Sequence, residues 1–86
     1  MYELIYMSQA QKDAKKLGAS GLKPKALKLL DIIKTNPLQF PPSYEFLKAD
    51  MKGLISRRIN KQHRLVYEIF EDEKIIKIHR MWTHYD

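Results

Sequence analysis

Any chemistry this chain performs must be done with carboxylate, histidine, arginine and tyrosine. It contains no cysteine, which removes disulfides, thiol nucleophiles and thiolate metal ligands. It has no phosphate-binding glycine loop, no dinucleotide fingerprint and no HExxH pair, and no serine sits in a nucleophile elbow. His63, His79 and His84 lack the close spacing of a metal site, so no metal and no cofactor is expected. The remaining reactive groups concentrate in one region. From Lys48 to Arg64 the chain carries Lys48, Lys52, Arg57, Arg58, Lys61 and Arg64 against a single acid, Asp50. Glu45 stands at the mouth of this stretch, and His84 and Tyr85 lie near the C-terminal end. Guanidinium groups suit bidentate phosphate binding. The plainer readings are a solvated sheet face, a surface Glu45 paired with Lys48, and a frayed tail. His63 and His79 read as sheet-surface or hydrogen-bonded neighbours. Trp82 reads as core, with a base-stacking platform as the alternative.

These residues need elements to position them. YELIYM, residues 2–7, is aromatic and β-branched enough for a strand. Ser8 follows as an N-cap, with Gln11 three residues later completing a capping box. Ala10, Ala14 and Leu17 form a weak apolar face, and Gly18 is expected to end this first helix. In the second helix Leu22, Ala26, Leu29, Leu30 and Ile33 share one face, with Lys23, Lys28, Asp31 and Lys34 opposite. Pro24 is tolerated in its first turn, and Asn36-Pro37 stops it. The two helices form a hairpin joined at Gly18–Gly21. NPLQFPPSY, residues 36–44, holds three of the four prolines and is a stiff loop that presents Glu45. Strands are expected over Gly53–Asn60, Arg64–Phe70 and Ile75–Trp82, joined by tight connections at Asn60–His63 and Glu71–Lys74. Both faces of the middle strand carry apolar residues, so the pattern leaves open which one meets the helices.

The chain of 86 residues, 44% apolar, supports one compact domain over residues 1–86. The element order gives an α+β class: an N-terminal strand, a two-helix hairpin, then a three-stranded antiparallel meander, with the helices on one side of the sheet. The other face is then open, and an open arginine-lined face is a place for RNA. A net charge of +6 points the same way, since such a field attracts polyanions. The helices carry seven lysines of their own between residues 12 and 34, a second basic surface. MYELIYMSQAQK lacks the features of a signal peptide, and no run of 18 apolar residues exists. The expectation is a cytoplasmic protein with no membrane partner.

The stretch EFLKADMKGLISRRINKQHRLVYEI, from Glu45 to Ile69, followed by the late HY pair His84-Tyr85, resembles the YoeB/Txe toxins of the RelE superfamily. The SRRI, HRLVY and HY elements carry the resemblance, which extends over nearly the whole chain. It implies a RelE-like fold and a bacterial, cytoplasmic toxin of a type II toxin–antitoxin system. It implies an endoribonuclease that cleaves translated mRNA in the ribosomal A site and is neutralised by an acidic antitoxin; a homodimer is left open. The resemblance assigns Glu45 as general base, Arg64 as the contact to the scissile phosphate, His84 as general acid and Tyr85 as shaping the site. Lys48 and Arg58 match its RNA-binding positions. Asp86 departs from the family, which often ends at the tyrosine; a carboxylate added beside the site is expected to perturb His84 or repel phosphate. RNA supplies its own nucleophile, the 2′-hydroxyl, so no metal is needed. A carboxylate is a weak base for an alcohol, so either a raised Glu45 pKa or strong substrate positioning on the ribosome is expected. Two alternatives stand beside this: a ParE-like toxin acting on DNA gyrase, and a basic RNA-binding module without chemistry.

Overall fold

The computed structural model describes residues 1–47 and 53–82. Strand β1, Glu3–Tyr6, leads into helix α1, Ser8–Ser20, and helix α2, Lys23–Thr35. Four strands follow: β2 (Glu45–Phe46), β3 (Leu54–Arg58), β4 (Arg64–Phe70) and β5 (Ile75–Arg80). They form one sheet in the order β1-β5-β4-β3-β2. The predicted meander is present as β3-β4-β5, all antiparallel. Two features enlarge it. β1 joins β5 in parallel, with Glu3 opposite Ile75 and Tyr6 opposite Ile78, and β2 adds an antiparallel edge against β3. The sheet is therefore mixed and five-stranded. A two-residue strand offers no periodicity to read, and the loop that ends in it hides it further.

The helices differ from expectation at their ends. Ser8 is the first helical residue rather than the cap, and Met7 takes the cap position with no side-chain bond. Gln11 turns its amide back to donate to the Tyr6 carbonyl at 2.9 Å, so no capping box forms. Gly18 lies inside α1; the chain leaves the helix at Gly21, whose φ of 82° is the left-handed conformation glycine accepts without strain. The hairpin joint is thus shorter than Gly18–Gly21. α2 matches expectation closely, with Ala26, Leu29, Leu30 and Ile33 buried, Pro24 in the first turn and Asn36 at its end.

The core settles which sheet face the helices cover. Ile55, Leu65, Tyr67, Ile76 and Ile78 are buried with Ala10, Leu17, Ala26, Leu30 and Ile33 in a single cluster. Strand alternation then puts Ser56, Arg58, Arg64 and Glu68 on the opposite face. A bulge between Val66 and Tyr67, where β4 meets β5, breaks the ladder beside His79.

One buried acid ties the first helix to the sheet. Asp13 is fully buried on α1. Its carboxylate accepts from the Met81 amide at 2.9 Å, the Gln9 side-chain amide at 2.9 Å and Arg80 Nε at 3.3 Å. Burial pushes its pKa up, but those donors together outweigh burial and hold it below the ordinary aspartate value. It lies three residues from Ala10 and four from Leu17, so its place on the apolar face was available from helical spacing.

Candidate active site

Each side chain at the site is set by the alternation of β3. Ser56 stands directly opposite Glu45 of β2, and Arg58 directly opposite Arg64 of β4. Ser56, Arg58, Glu45 and Arg64 therefore converge on the face away from the helices, which is not open throughout as expected, since Ser56 and Val66 on it are buried. With Ser43 and Tyr44 they line a cleft of about 370 Å³. Arg64 Nη1 donates to Glu45 Oε1 at 3.0 Å and lies 3.5 Å from Ser56 Oγ. The glutamate side chain is 61% exposed and the arginine 24%. Glu45 thus has a described partner in Arg64, 19 residues away. Among the described residues only Nη1 of Arg64 is engaged, which leaves Nη2 and Nε to receive an anion. Arg58 is exposed at the rim.

The loop that delivers Glu45 is held from behind by Arg57, which was read with the basic stretch but is fully buried. Its Nε donates to the Tyr67 hydroxyl at 2.9 Å, Nη1 to the Pro42 carbonyl at 2.6 Å, and Nη2 to the carbonyls of Gln39 at 2.8 Å and Pro37 at 3.1 Å. Its guanidinium carbon lies 4.8 Å from the centre of the Tyr44 ring. The Tyr67 hydroxyl donates in turn to the Pro37 carbonyl at 2.7 Å. Burial raises the Tyr67 pKa, against the lowering effect of Arg57, so the hydroxyl keeps the proton it donates. The signal was present in the sequence: Ile55, Arg57 and Ile59 alternate onto one face, and all three are buried.

The other expected site residues fall differently. Lys48 lies outside the described residues, as do His84, Tyr85 and Asp86. His63 is not on the sheet surface; it is buried, with its ring stacked on Trp82 at 3.9 Å between centroids. Trp82 is half-buried, packed against the core as read. His79 pairs with Glu68 at 3.1 Å on the face away from the helices. Sequence reasoning missed the aromatic group at the cleft's edge, where Tyr44 meets Phe40 and Phe46 edge-on, and both phenylalanines are exposed. A second groove of about 430 Å³ runs between α2 and the proline loop, lined in part by Lys25, Lys28 and Pro42. Among the described residues no group of three or more acidic or histidine side chains could hold a metal, and no helix is long and apolar enough to cross a membrane.

The chain sets two helices on one face of a five-stranded mixed sheet and a carboxylate–guanidinium pair on the other; its family model and similar structures place it among the toxins of the RelE superfamily. Residues 5–85 match the family model described as the YoeB-like toxin of bacterial type II toxin–antitoxin systems, and the chain belongs to that family. Among solved structures, it is similar to the YoeB/ParE toxin from Agrobacterium tumefaciens, at 26% identity and a TM-score of 0.88, over 96% of this chain and 99% of that one. It is similar to a chain of the YoeB–YefM complex from Staphylococcus aureus, at 33% identity and a TM-score of 0.82, over 99% of both chains. YafQ from Escherichia coli shares the fold at 21% identity and a TM-score of 0.83, over 98% of this chain and 94% of that one. No curated protein matches the chain in sequence.

Proposed function

We propose that this toxin is a metal-independent endoribonuclease that cleaves mRNA in the ribosomal A site. The observation that carries the reading is the Arg64–Glu45 pair in a cleft rimmed by Arg58. One guanidinium there touches the carboxylate through Nη1 and keeps other donors for a phosphate, so base and phosphate are bridged by a single group. Glu45 takes the proton of the ribose 2′-hydroxyl, whose oxygen attacks the adjacent phosphorus. Arg64 stabilises the charge that builds on the phosphorane oxygens. His84 protonates the departing 5′ oxygen, and Tyr85 shapes the site beside it; both roles rest on the family resemblance. The products are a 2′,3′-cyclic phosphate and a 5′-hydroxyl. Glu45 is exposed and held by a cation. We take substrate positioning by the ribosome as the route to activation. Lys48 and Arg58 hold the RNA backbone.

The partner that restrains the toxin is an antitoxin segment that is acidic and partly apolar, complementary to a surface of this charge. That such a toxin has an antitoxin partner is supported by the YoeB–YefM toxin–antitoxin complex of the Staphylococcus aureus relative. The test is to incubate the purified toxin with ribosomes translating a defined mRNA and to map new 5′ ends, with Glu45→Ala alongside. Cleavage within the A-site codon by the wild type, lost in the variant, is the expected outcome. Intact mRNA with ribosomes still bound would leave an RNA-binding module, and intact mRNA with inhibited DNA gyrase would leave a ParE-like toxin.

A further inference from the structure

We infer that Arg57 is a positioning residue for Glu45: it fixes the proline loop so that the carboxylate stands opposite Arg64. The inference rests on the reading of Glu45 as the base. β3 works in both directions. Its residues 56 and 58 face the cleft, while Arg57 between them points through the sheet to the loop on the other side. There its fork spans the carbonyls of Pro37, Gln39 and Pro42 and reaches the Tyr67 hydroxyl. Pro42 is three residues from Glu45, and Tyr44, next to it, lies against the same guanidinium. Burying a guanidinium is costly, and an apolar side chain of similar volume often fills such a place at no loss of stability. What an apolar residue lacks is a planar set of directed donors that accepts only one arrangement of three carbonyls. That property serves geometry more than stability. A loop with three prolines also loses little entropy on being held in one shape.

The test is a double-mutant cycle on mRNA cleavage by translating ribosomes, reading the rate at saturating toxin and the half-saturating toxin concentration separately. Arg57→Lys keeps the charge but replaces the fork with one ammonium, which cannot span the three carbonyls. It is expected to lower the saturated rate roughly tenfold to hundredfold. The half-saturating concentration should stay within about twofold, since binding groups are untouched. In a Glu45→Ala background the same change should cost less than about twofold, because its effect runs through the group already removed. Tyr67→Phe loosens the same network without altering the core ring, and it should show the same pattern at smaller size; it decides alone if Arg57→Lys does not fold. Equal losses with and without Glu45, or a loss confined to the half-saturating concentration, would overturn the assignment. A wild-type rate in Glu45→Ala alone would remove the base and this role together, and it is read from a different protein.

Discussion

Glu45 and Arg64 come from opposite sides of β3, and their pairing does not follow from position in the sequence alone. On spacing, Glu45 has a ready partner in Lys48, which lies outside the described residues; the strand order supplies Arg64. An ion pair this exposed is worth only about 0–1 kcal/mol. Replacing Glu45 or Arg64 with alanine should therefore lower the melting temperature by no more than about 4–8 °C while lowering cleavage about a hundredfold or more. Measuring both on the same protein checks this, and a large fall in melting temperature would mean that the pair is structural. That Glu45, Arg58 and Arg64 share one cleft was legible through the resemblance, which names all three. Arg57 was not, because a run of basic residues reads as surface until its alternation with Ile55 and Ile59 is taken seriously.

The two helices were legible from apolar spacing, and their ends were less so. Glycine is a frequent helix terminator, so Gly18 competed with Gly21 for the role; only Gly21 adopts the left-handed backbone. A methyl group at Gly18 would meet nothing within 4 Å. Gly18→Ala should stabilise the protein by about 0.5–1 kcal/mol, through lower unfolded-state entropy. Gly21→Ala should destabilise it by roughly 1–2 kcal/mol. Thermal melts of the two variants should thus move in opposite directions, and a shared direction would contradict the placement of the helix end. The pairing of β1 with β5 left no trace in local sequence, since parallel neighbours are chosen by the whole fold.

Over the whole molecule, Asp13 joins α1 to the last residue of β5, Arg80, and to Met81 after it, and its bond network gives the fold a pH limit. Its folded pKa lies below its unfolded value, which is near 3.9. The stability it contributes is therefore present above about pH 4 and is lost as pH falls through the folded pKa. Asp13→Asn should cost roughly 1–3 kcal/mol at neutral pH and should flatten the acid limb of the stability profile; a wild-type acid limb would contradict this. The net charge of +6 has exposed helix lysines on one side of the sheet and the arginine cleft on the other. Attachment to ribosomes should weaken steeply with added salt in wild type and Glu45→Ala alike, because phosphate contacts dominate it. The claim that these parts form a ribonuclease using the RNA's own hydroxyl is tested most directly by one substitution in the substrate. An mRNA carrying a single 2′-deoxynucleotide just upstream of the cut should bind the ribosome and toxin normally and remain intact at constant magnesium. The unmodified mRNA should yield a 2′,3′-cyclic phosphate and a 5′-hydroxyl. Efficient cutting of the deoxy substrate, or a 5′-phosphate on the downstream fragment, would contradict the roles given to Glu45 and His84.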